Sequence, residues 1–207
     1  MKKLILSSAA LLLIVSSGFA QDVSFGAKAG INVANQKFKS GTNGTTQTGN
    51  SKVGLAIGGF AEIGVSDNFA VQPELLYSQM GAQDKSTGTT ITVNVDYIAV
   101  PLLAKYKNAG FAVYAGPQVG ILVNAKYKGG GTSIDGKNDY KSIDFNAVFG
   151  AEYTFDPGIV ISARYLFGLA NIAKTGTSSN FSSGDKVTNS AFNVTLGYVF
   201  GGGVKKK

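Results

Sequence analysis

The feature that most constrains the fold is an apolar alternation over residues 191–200, which seven similar stretches precede. Side chains alternate between the two faces of an extended chain, so one face of this segment is apolar and aromatic at its end. That face carries Phe192, Val194, Leu196, Tyr198 and Phe200. The chain shows almost no helical pattern that would cover eight such faces. We therefore predict that the apolar faces contact lipid.

Only a closed barrel lets a sheet sit in lipid, because an open edge would leave backbone N–H and C=O groups unpaired in hydrocarbon. We predict an all-β fold, an eight-stranded antiparallel up-and-down transmembrane β-barrel in which the last strand pairs with the first. The predicted strands cover residues 24–34, 52–65, 69–80, 90–106, 111–124, 141–155, 159–170 and 191–200. Their connections alternate strictly between long polar loops and short turns. This pattern is typical of outer-membrane barrels, whose short turns face the periplasm.

Two places in the predicted strands are irregular. Pro73 cannot donate a hydrogen bond to a neighbouring strand, which predicts a bulge or a local break in the third strand. The alternation in the fourth strand is lost over residues 98–103, where nearly every residue is apolar. The pattern leaves the faces of those six residues unassigned.

The first 20 residues have the order of a secretory signal peptide. Two lysines precede an apolar run over residues 4–15, and small residues precede Gln21. The apolar run is shorter than the roughly 20 residues that a membrane-spanning helix needs. We expect cleavage after Ala20, a barrel domain over residues 21–200 and a basic periplasmic tail over residues 201–207.

The composition argues against several functional classes. The chain has no histidine and no cysteine, which removes His-dependent acid–base pairs and the usual soft metal ligands. We therefore predict that the protein is not an enzyme and binds no cofactor or metal. The lysines do not form a basic stripe interleaved with exposed aromatic residues, so we predict no binding of nucleic acid.

Five charged residues are predicted to point into the barrel. They are Lys28, Glu62, Glu74, Glu152 and Arg164. Counting from the short turns places the last four at similar heights, and Lys28 reaches them from the first strand. Ionised groups in so narrow a space must be paired or hydrated. We favour a polar plug, since an eight-stranded interior leaves little room beyond its side chains; a gate or selectivity ring is the alternative.

Aromatic residues near the predicted strand ends indicate membrane-interface girdles. The turn-side girdle is predicted to contain Phe69, Phe111, Phe155, Tyr198 and Phe200. The loop-side girdle is predicted to contain Tyr77, Tyr97 and Phe167. Tyr198 and Phe200 also form the aromatic terminus that we expect the barrel-assembly machinery to recognise, so that loss of Phe200 impairs assembly.

Several segments resemble the PorT-like outer-membrane β-barrel family. They are QPELLYSQMG at 72–81, YIAVPLLAKY at 97–106, YAGPQVG at 114–120, RYLFGLANI at 164–172 and the closing GYVF at 197–200. The resemblance covers essentially the whole mature chain. It implies a small eight-stranded barrel in the outer membrane of a Gram-negative bacterium, and it implies no particular activity.

We predict a monomeric, integral outer-membrane barrel with a plugged polar lumen, whose exposed polar loops have a structural, adhesion or binding role. Its expected partners are outer-membrane lipids and the barrel-assembly machinery, and the sequence does not identify an extracellular ligand. Two alternatives stay open. One is a small pore for ions or small polar solutes. The other is a soluble exported ligand-binding barrel, which requires the apolar faces to point inward and the charged faces outward.

Overall fold

The computed structural model describes residues 23–85, 90–176 and 179–200, and its regular structure is almost entirely β. The strands are β1 (Val23–Lys39), β2 (Thr46–Thr48), β3 (Lys52–Gly64), β4 (Phe69–Asp84), β5 (Ile91–Asn108), β6 (Phe111–Gly129), β7 (Thr132–Asp135), β8 (Ile143–Phe155), β9 (Ile159–Gly168) and β10 (Lys186–Phe200). A short 3₁₀ helix, Lys137–Asp139, follows β7. Over the described ranges, no helix has the length and apolarity to cross a bilayer. The predicted signal peptide and basic tail lie outside the described residues.

Eight of these strands close into an antiparallel ring, in the order β1, β3, β4, β5, β6, β8, β9, β10. β10 pairs with β1 from Phe25 opposite Phe200 to Lys39 opposite Lys186, and this pairing closes the ring. The two remaining strands belong to the long connections, where β2 pairs with the end of β1 and β7 with the end of β6. The predicted eight-stranded up-and-down barrel is confirmed.

The two faces of the ring differ as the alternation predicts. In β10, Phe192 and Leu196 expose 48% and 59% of their surface, whereas Asn193 and Thr195 expose 0% and 3%. The apolar faces therefore point outward and the polar faces point into the lumen. A soluble ligand-binding barrel needs the opposite orientation, so that alternative is wrong.

Four of the eight barrel strands, β1, β4, β6 and β10, continue further toward the loop side than the sequence predicts. β1 ends at Lys39 rather than at residue 34, and β10 begins at Lys186 rather than at residue 191. Backbone hydrogen bonds between neighbouring strands continue beyond the apolar belt, where side chains no longer alternate between apolar and polar. On the loop side, the length of these strands is therefore determined more by backbone pairing than by the side-chain pattern.

The irregularity expected at Pro73 is smaller than the sequence predicts. β4 runs unbroken through Pro73, and the pairs Phe60–Glu74 and Ile63–Val71 keep one register on both sides of it. Only ladder pairs are lost there, because proline has no N–H to donate. The expected bulge was therefore wrong, and the expected local break is limited to these lost ladder pairs.

A register shift occurs instead between β5 and β6, at Asp96 and Tyr97. The residue skipped by the shift, Val123, belongs to β6, so β5 keeps its faces through this point. Val95 and Tyr97 both point into the lumen, 0% and 3% exposed, so the predicted place of Tyr97 in the loop-side girdle was wrong. From Tyr97 onward the strand alternates regularly to the short turn. The inward residues of this segment are Tyr97, Ala99, Pro101, Leu103 and Lys105.

Candidate functional site

The turn-side half of the lumen holds the five charged residues that the sequence singled out. Lys28, Glu74, Glu152 and Arg164 are buried there, and Glu62 is half-buried. They come from five different strands, β1, β3, β4, β8 and β9. Their convergence follows from the barrel geometry, because inward positions near the same end of adjacent strands share one level of the lumen.

Glu74 is the centre of the first group of contacts. Its Oε1 accepts a hydrogen bond from Lys28 Nζ at 2.7 Å, and its Oε2 accepts one from Arg164 Nη1 at 2.7 Å. Arg164 Nε also donates to Asn193 Oδ1 at 3.0 Å. The Lys28 ammonium lies 4.8 Å from the centroid of the Phe60 ring, a cation–π distance. One buried carboxylate is therefore shared by two buried cations.

A residue that the sequence analysis missed, Lys105 of β5, organises the second group. Its Nζ pairs with Glu62 Oε2 at 2.5 Å and with Glu152. Glu62 also pairs with Lys107 at 2.5 Å, close to the barrel end. Counting with period two from the turn after Asn108 would have placed Lys105 inward. Because nearly every residue over 98–103 is apolar, the alternation could not be followed along the strand to Lys105.

Gln72 joins the two groups into one network. Its Nε2 donates to Glu74 Oε1 at 2.7 Å, and its Oε1 accepts from Lys105 Nζ at 2.7 Å. We call these contacts the charged network; its members are Lys28, Glu62, Gln72, Glu74, Lys105, Glu152 and Arg164. Its three cations face three carboxylates, so the charges balance. Such an arrangement fills the lumen and links the strands around it. No member of the network resembles an activated nucleophile.

An apolar core closes the lumen on the loop side. Tyr97, Tyr140, Ile172 and Val187 are buried in it. Phe181 covers it, with its ring centroid 5.8 Å from that of Tyr140 and 6.2 Å from that of Phe38. We call this cluster the loop-side core. Apart from Tyr97, which lies in a predicted strand, these residues come from strand extensions and long connections that were predicted to be polar loops.

Buried carboxylates fasten the long connections over this core. Asp139 accepts hydrogen bonds from Tyr127 Oη at 2.8 Å and from the backbone N–H of Asn180 at 2.7 Å. Burial by itself would raise the pKa of Asp139, but these hydrogen bonds outweigh it and hold that pKa below its ordinary value. Asp185 accepts from the backbone N–H of Gly41 at 2.8 Å. The loop end is therefore held by buried, hydrogen-bonded carboxyl side chains.

The residues predicted for the turn-side girdle lie on the outer surface. Phe69, Phe111, Phe155, Tyr198 and Phe200 are all exposed at the short-turn end of their strands. Neighbouring rings supplement them: the centroid of Tyr106 lies 5.2 Å from that of Phe69. Within the described ranges, no group of three or more His, Cys, Asp or Glu residues is arranged to hold a metal ion.

Comparison with known sequences places the chain in a family. The profile described as "Outer membrane protein beta-barrel domain" matches residues 19–174, which is most of the chain. The protein belongs to this family of outer-membrane β-barrels. No match was found among curated protein sequences.

Solved structures of three bacterial barrels are similar to this chain. Ail, the attachment invasion locus protein of Yersinia pestis, is 16% identical with a TM-score of 0.47, over 86% of this chain and 99% of that one. Neisserial surface protein A is 16% identical with a TM-score of 0.49, over 85% of this chain and 97% of that one. The outer membrane protein OprG of Pseudomonas aeruginosa is 12% identical with a TM-score of 0.42, over 86% of this chain and 95% of that one.

Proposed function

We propose that the protein is a non-enzymatic, non-conducting barrel of the Gram-negative outer membrane that binds polyanions at its loop end. The charge of that end carries the proposal. Its exposed lysines are Lys37, Lys39, Lys85, Lys126, Lys128, Lys137, Lys141, Lys174 and Lys186. Among the described residues of the same end, the exposed acidic residues are Asp84 and Asp135.

Burial of the other acidic residues strengthens this positive field. Asp96, Asp139, Asp144 and Asp185 of the loop end are all buried. Their charges are directed to internal hydrogen-bond partners and do not line the surface. A surface of one sign raises the local concentration of oppositely charged ligands and speeds their association.

The placement of two lysines also favours an anionic partner. Lys39 lies directly opposite Lys186 across the β1–β10 pairing, and both are exposed. Like charges in directly opposed positions destabilise a sheet, by about 0.2–1 kcal/mol per pair. An anionic group bound between them would remove that repulsion. Two sources share this chemistry: phosphate groups of lipopolysaccharide in the same leaflet, and sulfated or carboxylated polysaccharides outside the cell.

Charge reversal at this end tests polyanion binding. The quadruple variant Lys39→Glu, Lys126→Glu, Lys128→Glu, Lys186→Glu is expected to bind immobilised heparin and purified lipopolysaccharide at least tenfold more weakly than the unmodified protein in detergent micelles. The matched variant with arginine at the same four positions keeps the charge and should retain binding. Binding should weaken as salt is raised, because exposed charges are screened.

The two ligands separate the two sources. Loss confined to lipopolysaccharide assigns the surface to the membrane's own lipid, and loss confined to heparin assigns it to an external polysaccharide. Equal binding of the glutamate and arginine variants to both ligands would contradict the proposal.

The lumen supports the non-conducting part of the proposal. The charged network fills its turn side, and the loop-side core fills its other half. In planar lipid bilayers the purified protein is expected to give no stepwise conductance above that of a detergent-only control. Reproducible unit steps would instead favour the alternative, a small pore for ions or small polar solutes.

The remaining partners are also proposals. Tyr198 and Phe200 form an exposed aromatic terminus on β10, which supports recognition by the barrel-assembly machinery. The outward apolar belt supports outer-membrane lipid as the surroundings of a monomer. Membership of the PorT-like branch of barrels rests on the sequence segments at 72–81, 97–106, 114–120 and 164–172.

A further inference from the structure

A second polar cluster lies in the lumen on the inward faces of β6 and β8, nearer the loop side than the charged network. Gln118 is directly opposite Asn146, and Asp144 lies two residues along the same face. These residues are 5%, 3% and 1% exposed, respectively. Each has a buried oxygen that no described residue satisfies: Gln118 Oε1, Asn146 Oδ1 and Asp144 Oδ1. Three unsatisfied acceptors therefore occupy adjoining positions.

The carboxylate of this cluster has no cationic partner in the described structure. Asp144 Oδ2 accepts a hydrogen bond from the neutral Asn189 Nδ2 at 2.8 Å. Of the buried cations, Lys28, Lys105 and Arg164 pair with glutamates of the charged network, and Lys52 donates a hydrogen bond to the Met80 carbonyl oxygen. A buried carboxylate without a counter-charge is strongly unfavourable. The site therefore requires a positive charge from outside the chain, or a proton.

Two glycines lie beside the cluster and let neighbouring groups approach it closely, the Tyr97 ring at Gly120 and the Asn189 backbone at Gly168. Gly120 is directly opposite Asp144, and Gly168 is directly opposite Asn146 on the other side. Neither position places a side chain between the oxygens and the lumen. The ring of Tyr97 lies against Gly120, where a Cβ would be 3.1 Å from Tyr97 Cδ1. The oxygens are thus bounded by an aromatic ring and are shielded from bulk water.

We propose that Asp144 Oδ1, Asn146 Oδ1 and Gln118 Oε1 bind one small monovalent cation, of which Na⁺ is the probe. Carboxylate and amide oxygens are the ligands that hard cations prefer. One carboxylate balances one positive charge, so a monovalent ion leaves no net charge in the lumen. A single water molecule has two protons and can satisfy only two of the three acceptors. A protonated Asp144 can donate one hydrogen bond, to one of the two amide oxygens, and leaves the other unsatisfied. A cation satisfies all three.

Thermal unfolding of the full protein in detergent micelles tests the site. A ligand that binds only the folded state stabilises it as its concentration rises. The midpoint of unfolding is therefore expected to increase with the logarithm of NaCl concentration when choline chloride keeps the ionic strength constant. Choline is too large to bind at the cluster. Because the ionic strength is constant, the surface lysines are screened equally in every sample. An unfolding midpoint that does not depend on the proportion of Na⁺ overturns the proposal.

Two variants assign the effect to these side chains. Asp144→Asn keeps the shape but removes the charge, and it should abolish the Na⁺ dependence. Gln118→Leu removes one ligand at constant charge, and it should raise the Na⁺ concentration needed for half of the effect at least tenfold. The exposed Asp135→Asn is the matched control and should behave as the unmodified protein. Na⁺ dependence that persists unchanged in both lumen variants would show that the ion binds elsewhere.

Discussion

Replacing Glu74 by alanine is expected to lower the free energy of unfolding by about 3–5 kcal/mol, the usual cost of removing one partner from a buried ion pair. The Glu74 carboxylate is the shared partner of Lys28 and Arg164, which are both buried in the lumen. Without it, two cations stay in a narrow space with no anion between them, and Gln72 loses an acceptor. Urea or thermal unfolding in detergent micelles, followed by circular dichroism, measures the loss.

Lys107→Ala is the matched control for that experiment. Lys107 also pairs with a glutamate of the network, Glu62, but its side chain is 35% exposed and Glu62 keeps Lys105. Exposed ion pairs contribute at most about 1 kcal/mol, so the control should stay close to the unmodified protein. Equal stability of the Glu74→Ala variant and this control would contradict the assignment of Glu74 as the centre of the network.

The double variant Glu74→Ala, Arg164→Ala separates a plug from a gate. Removing one cation together with the anion should recover part of the stability that Glu74→Ala loses, because the two residues are coupled. The double variant should nevertheless unfold at a lower temperature than the unmodified protein, since Lys28 has no carboxylate within its former reach. Unchanged stability together with strongly increased ion conductance would refute the plug.

The sequence predicted the barrel well because its main signal is local. Period-two alternation is a property of each strand by itself, and it survives wherever apolar and polar faces differ. It therefore placed Glu74 and Arg164 in the lumen before any partner was known. It missed Lys105 because residues 98–103 are apolar on both faces. It misplaced Tyr97 because the apolar face of β5 that holds Val95 and Tyr97 packs inward in the loop-side core and does not face lipid.

The loop-side core was not predictable in the same way. Its fastening contacts join residues far apart in the chain, such as the Gly41 N–H and Asp185, which are 144 residues apart. The separate polar loops carry no repeating pattern that would reveal such pairs. The three unsatisfied oxygens near Asp144 were hidden for a related reason: each lies at an ordinary inward position, and only the register of β6 against β8 brings them together.

Replacing Gly30 by alanine is expected to have the second large effect, at the seam where β1 meets β10. A Cβ at Gly30 would lie 1.9 Å from the carbonyl oxygen of Val194 and 2.6 Å from the Cα of Thr195. Both atoms belong to the backbone of the closing strand, so no side chain can move aside to make room. The strands must separate locally, and we expect at least the roughly 1–3 kcal/mol that overpacking costs in a well-packed core.

Gly59→Ala is the matched control for the seam. It introduces the same methyl group into a neighbouring strand, and its nearest contact would be the Gly26 carbonyl oxygen at 3.3 Å. Folded and unfolded barrels are separated by their migration on gels before and after heating, which gives the folded fraction of each variant. Because β10 and β1 are the chain's last and first strands, a weakened seam should reduce the folded fraction of Gly30→Ala well below that of Gly59→Ala. Equal fractions would mean that the seam tolerates a wider spacing than these contacts require, and closure would then depend on the other rungs of the β1–β10 pairing.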